Sequence, residues 1–264
     1  MDSFDAASFD VSAAMSASCA LAAFWIFIAD AISPILTMLI VAPLAFFGNW
    51  VIYNALLMPL VRRAKNKGQL EVDSILATFG MSFALVGIMV SIHGEYFTYS
   101  YLAEPFEIVG ETFALNRIVA FCFAVLIGVA LWLWLFFTRP GMAMRAVSVS
   151  TEASGLVGIN VQKMSALAFA LGGAVTTMGG TLISTFITLD ASVGVIFTMK
   201  ALIIIIMGGV GDIRGAIVAA LILGLVETTV ARLIDPGLTL AAAYAIFVLV
   251  LLFRPQGLFG RKPT

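Results

Sequence analysis

Charge is what this sequence has least of. Asp, Glu, Lys and Arg make up 11% of its 264 residues, against about 25% in an average soluble domain, which leaves too little polar surface for a water-soluble fold. With 14 basic and 15 acidic residues the net charge is -1, and the basic residues are dispersed or flank apolar runs, so no nucleic-acid partner is expected. The single histidine, His93, stands at the start of an acidic loop, which excludes an HExxH metal helix and a buried Ser-His pair. The two cysteines, Cys19 and Cys122, lie far apart inside apolar runs and read as packing residues instead of a metal or redox pair. A GxxxxGK[ST] phosphate loop is missing, so neither an ATP site nor another cofactor is expected in this chain. The opening residues MDSFDAASFD hold three aspartates and no basic residue, unlike a cleavable signal peptide.

Apolar residues, by contrast, make up 62% of the chain. A bilayer core about 30 Å thick is crossed by about 20 residues of apolar helix, and such runs fall at 12–29, 33–60, 74–92, 117–138, 164–188, 195–210, 215–233 and 238–253. The expected fold is therefore all-α, a polytopic transmembrane helical bundle of about eight helices in one domain, 1–264. The sixth and seventh runs are short and flank the Gly-rich stretch MGGVGDIRGA, so one of them is expected to be a half-helix or re-entrant segment.

Lysine and arginine set the orientation. Arg62, Arg63, Lys65 and Lys67 fall in one loop, and Arg139, Arg145 and Lys163 in or beside another, 139–163; both are expected in the cytoplasm. The intervening loop carries Glu95, Glu104, Glu107 and Glu111 before Arg117 and is expected outside. Arg254, Arg261 and Lys262 place the C-terminal stretch inside. The outer loop also holds Tyr96, Phe97, Tyr99 and Tyr101, and the inner end of the fourth run holds Trp132 and Trp134; both groups fit aromatic belts at the membrane surface, although the first could instead dock an extracytoplasmic partner.

Small residues recur every four positions in the fifth run, as Ala168, Gly172, Thr176, Gly180 and Ser184 and, beside them, Gly173, Thr177, Thr181 and Thr185. Each set lines one helix face, where small side chains allow close helix packing. Lys200 and Glu227 are ionisable residues inside apolar runs, and such residues mark function, an ion pair or a snorkelling position. They are candidates for a translocation path. Glu227 shares a face with Gly224, Thr228 and Ala231 and is expected to point into the bundle.

The loop RPGMAMRAVSVSTEASGLVGINVQKM contains Glu152, Ala153 and Ser154 followed by Gly158. These resemble the EAA signature of ABC importer permeases, with serine at the second alanine, and Gly158 and Asn160 read as helix stop signals. The segments LATFGMSF, PGMAMRAV, MGGVGDIRGA with Gly208, Gly209, Gly211 and Gly215, GLVETTVARL and LLFRPQGLFGRK resemble branched-chain amino acid permeases of the LivH and LivM type. The resemblance runs from about Asn54 to Lys262. It implies that 139–163, through Arg145, Glu152, Ala153, Ser154 and Gly158, docks on separate ABC ATPase subunits that bind ATP. It further implies a second permease subunit, an extracytoplasmic solute-binding protein and a bacterial inner-membrane location. The solute would be a branched-chain amino acid or a related small polar molecule, with urea or a short-chain amide as the alternative. Residues 1–53 lack the opening NFAHGE-like motif of that family and are expected to be diverged or truncated.

A different class competes at one point. Gly209, Val210, Gly211 and Asp212 spell the GxGD signature of intramembrane aspartyl proteases, whose chemistry needs a second carboxylate close by. The Tyr-Asp partner motif is absent, and Asp190 is placed at the other side of the membrane. Gly80, Met81 and Ser82 resemble half of a rhomboid GxS element without an accompanying histidine.

Overall fold

A computed structural model describes residues 34–63, 96–97, 105–108, 111–185, 189–190, 193–209, 211–254 and 256–259, with single helical positions between 73 and 91. The run expected at 12–29 lies outside the described residues, and the run at 74–92 is represented by those single positions. Contacts divide the chain into two compact units, Met1–Val195 and Ile196–Thr264.

In the first unit, α1 (Pro34–Ile52) continues through a π-helical turn (Tyr53–Leu57) into α2 (Met58–Arg63). In that turn the Met58 N–H donates to Tyr53 O, five residues back. The widened turn places Tyr53 and Leu57 in a buried cluster with Ala166, and the Tyr53 ring lies 5.8 Å from that of Phe169. The strands are short: β1 (Tyr96–Phe97), β2 (Pro105–Ile108) and β3 (Glu111–Ala114). The chain then enters α3 (Leu115–Phe137), α4 (Arg139–Val149), α5 (Thr151–Leu156) and α6 (Val161–Ile183). Strand β4 (Leu189–Asp190) pairs antiparallel with β1, Tyr96 opposite Asp190, while β2 and β3 form a hairpin. The Asn116 amide donates to Thr185 O at 3.3 Å. The start of α3 therefore meets the end of α6, and β1 meets β4, in this unit.

The main packing seam of the unit runs between α1 and α6. Of the two small-residue stripes on α6, the one through Gly173, Thr177, Thr181 and Thr185 is buried, whereas Ala168 and Gly172 of the other are exposed. Asn49 of α1 is fully buried, and a Cβ added at Gly173 would run into its amide. The threonines satisfy their hydroxyls within their own helix, Thr177 donating to Gly173 O at 2.8 Å and Thr181 to Thr177 O at 2.9 Å. Each then presents little unpaired polarity to the partner helix, so close packing is possible without a hydrophobic drive.

The second unit takes up α7 (Val193–Gly208) from Ile196 and adds α8 (Ile213–Leu233), a 3-10 turn (Pro236–Leu238) and α9 (Thr239–Phe253). Ile203, Met207, Ala219, Leu223 and Ala243 form its core. The link between α8 and α9 is tight because Asp235 caps the 3-10 turn, accepting from Gly237 N at 2.6 Å.

Five helical stretches among the described residues are long and apolar enough to cross a membrane, at 37–61, 115–137, 161–183, 213–233 and 236–253. The chain is a polytopic membrane helical bundle. Helix α7 has 16 residues, about 24 Å at 1.5 Å per residue, short of a full crossing, as its sequence run indicated.

Candidate functional site

The loop between α3 and α6 is built by successive caps. Thr138 accepts from Gly141 N at 3.3 Å and its hydroxyl donates to Trp134 O at 2.6 Å, so one side chain ends α3 and starts α4. Gly141 is required by proximity: an added Cβ would stand 2.6 Å from Leu135 Cα and 2.7 Å from Trp134 O. Arg145 folds back with its guanidinium carbon 4.1 Å from the Phe136 ring centroid, a cation–π contact that fixes α4 against the end of α3. Ser150 then caps α5 by accepting from Ala153 N at 3.2 Å. Gly158, at φ 83°, closes α5, with Ile159 N–H donating to Ser154 O at 3.1 Å, the left-handed glycine ending that a Cβ would strain. Asn160 is a start signal and not a stop: its side chain accepts from Lys163 N at 3.1 Å and caps α6.

The signature residues thus occupy a two-turn helical knob. Ser154 is its buried face. Glu152 and Ala153 are exposed, and Val149, Leu156 and Val157 are 81%, 90% and 80% exposed. Apolar side chains standing this far out beside a carboxylate form a surface that water does not favour.

The Gly-rich stretch joins α7 to α8. A Cβ at Gly208 would meet the backbone of Gly215 and Ala216, and one at Gly215 would meet Gly208 O, so this pair permits backbone-to-backbone contact. Gly209 and Gly211 turn the chain at φ 103° and 91°. Asp212 caps α8 by accepting from Arg214 N at 2.9 Å. The terminal stretch completes this corner: Leu258 N–H donates to Met207 O at 2.8 Å and Phe259 N–H to Gly208 O at 3.1 Å, which occupies carbonyls that the end of α7 would otherwise leave open. The protease alternative finds no support in this geometry, because Asp212 is engaged as a helix cap.

Lys200 and Glu227 are brought together. Lys200 Nζ lies 2.8 Å from Glu227 Oε2, with side chains 24% and 20% exposed. Lys200 is the eighth of the 16 residues of α7, which sets it near the helix middle instead of near an interface, where a snorkelling lysine would stand. A second correction concerns α8. Its buried face is Gly215, Ala219 and Leu223, whereas Gly224 and Thr228, beside Glu227, are exposed. The charge is held by its partner on α7, and the small-residue face stays open.

The sequence matches the family described as "Branched-chain amino acid transport system / permease component" over residues 6–253. The chain belongs to this family. The match begins well ahead of Asn54, where the motif resemblance starts. The LivH permease protein of the high-affinity branched-chain amino acid transport system of Escherichia coli K12 is 32% identical over 133 residues, 50% of this chain and 43% of that protein. BraD of the corresponding system of Pseudomonas aeruginosa is 30% identical over 153 residues, 58% of this chain and 50% of the relative. The ribose import permease protein RbsC of Haemophilus influenzae is 25% identical over 202 residues, 73% and 62% of the two chains. The chain thus spans about half the length of the LivH and BraD relatives. No solved structure gives a significant match. Membership of this permease family and the apolar helices make this a multi-pass membrane protein.

Proposed function

We propose that this chain is the membrane-spanning subunit of an ATP-driven importer in a bacterial inner membrane, translocating a branched-chain amino acid or a close relative of one. The family match over residues 6–253 carries the reading, and the names of the two relatives at 30–32% identity supply the solute class. No bond of the solute is made or broken here. The α5 knob seats in a separate ABC ATPase subunit that binds ATP, the loop after 93 faces the compartment from which a solute-binding protein delivers, and a second permease subunit completes the path. Closure of the ATPases pushes on α5. The caps at Ser150, Gly158 and Asn160 make α4, α5 and the start of α6 a stiff lever, so the push reaches α6 and its seam with α1 as rigid-body motion.

The test is genetic and kinetic. Deleting the gene is expected to remove uptake of labelled leucine, isoleucine or valine, and expressing the chain is expected to restore it. Uptake that is unchanged by the deletion, or a deletion that abolishes urea or acetamide uptake alone, refutes the assignment of solute.

A further inference from the structure

The Lys200–Glu227 pair is costly where it lies. Lys200 stands seven residues after Val193, about 10 Å along α7, and Glu227 six residues before Leu233, about 9 Å from the end of α8. The two helices run antiparallel from the Gly208–Gly215 corner, so the charges meet at one level, well inside their apolar lengths. Two apolar side chains would fill this place without desolvating two charges, and a buried ion pair adds little stability over such a replacement. Packing alone does not account for it.

Its hydrogen bonding is also incomplete. Glu227 Oε2 takes the contact with Lys200 at 2.8 Å, while Glu227 Oε1 has no hydrogen-bond partner among the described residues. An ammonium carries three donors, and this contact uses one. There is room beside the pair: a methyl added at Gly224 meets nothing within 4 Å, and the Thr228 hydroxyl is turned back onto Gly224 O at 2.7 Å. The two side chains are 24% and 20% exposed but Glu227 Oε1 is itself buried, so it is the parting of the pair that frees an acceptor for a cation and donors for an anion beside this small-residue floor.

We propose that this pair is a charge-exchange site for a zwitterionic solute, which rests on the amino-acid reading given above. The solute's carboxylate accepts from Lys200 Nζ while its ammonium donates to Glu227, so each residue trades its neighbour's charge for that of the solute. The site is neutral with or without solute, and no unpaired charge is left in the membrane at either stage. A solute with a single charge leaves one residue unpaired and is rejected.

The experiment uses the whole transporter complex, purified without its solute-binding protein, with scintillation-proximity binding of labelled leucine and competition by leucinamide and 4-methylpentanoate. Leucine is expected to bind, and each singly charged analogue to compete at least tenfold more weakly. Glu227→Gln, and the apolar pair Lys200→Met with Glu227→Met, are expected to assemble and to lose binding and cellular uptake at least tenfold. Leucine binding or uptake within twofold of wild type in the apolar pair overturns the proposal, as do analogues that compete as well as leucine. Wild-type cells that take up no branched-chain amino acid would instead refute the functional assignment itself.

Discussion

Replacing Gly208 by alanine should weaken the second unit through one added methyl group. That carbon would stand 2.5 Å from the Gly215 carbonyl carbon and 2.6 Å from Ala216 N. Comfortable contacts between carbon atoms begin near 3.5 Å, so the ends of α7 and α8 must part by about 1 Å. The obstructing atoms are backbone and have no rotamer by which to retreat. Overpacking of this kind costs about 1–3 kcal/mol. The shift also strains the hydrogen bonds from Leu258 and Phe259 to Met207 O and Gly208 O, each contributing about 0.5–1.5 kcal/mol. Alanine returns up to about 1 kcal/mol of helix propensity. A net loss of about 3 kcal/mol is expected, and at about 2–4 °C per kcal/mol the melting temperature should fall by roughly 10 °C. The measurement is the fraction of monodisperse protein surviving a temperature series in detergent, read by size exclusion. Gly172→Ala is the control, since its methyl meets nothing within 4 Å; it should be neutral or slightly stabilising. A Gly208 variant as stable as wild type, or a Gly172 variant equally harmed, would show that the contact at the corner is not what holds it.

Three further expectations concern other parts of the chain. Changing Leu156 and Val157, which are 90% and 80% exposed, both to Glu should leave thermal stability within about 0.5 kcal/mol of wild type while abolishing co-purification of the ATPase subunit; retained co-purification would place docking elsewhere. Asp212→Asn keeps an acceptor for Arg214 N and should preserve uptake, whereas Asp212→Ala should cost about 1 kcal/mol of stability as a lost cap. A proteolytic activity abolished by the Asn variant would revive the protease reading. Gly173→Val forces the amide of Asn49 out of the α1–α6 seam and should destabilise the first unit by about 2–4 kcal/mol, seen as loss of folded protein in the same heating assay; an unaltered melting curve would mean that the seam is not tight.

Part of the loop between α3 and α6 was legible in the residues. Thr138, Ser150 and Asn160 precede helices in the way capping residues do, and Gly158 follows one, because each rule acts over three or four residues. Asn160 was read with the wrong sign: a polar residue next to a glycine serves equally well to end one helix or to begin the next, and only the bond to Lys163 N decides. The roles of Gly141 and Asn49 depend on atoms brought from a preceding helix or from more than a hundred residues away, so no local pattern carries them. The periodicity of four found both stripes on α6 but could not tell which was packed, since that is a property of where α1 lies.

By itself, then, the sequence determined the membrane as solvent and the apolar helical runs suited to it, because hydropathy is set by near neighbours along the chain. The tertiary structure alone decided which faces close. It turned Lys200 from a lone charge into half of a 2.8 Å pair, left the Gly224 and Thr228 side of α8 open, and engaged Asp212 as a cap. Those outcomes depend on residues distant in sequence meeting in space, and in a low-dielectric medium such a meeting determines whether a charge is tolerated at all.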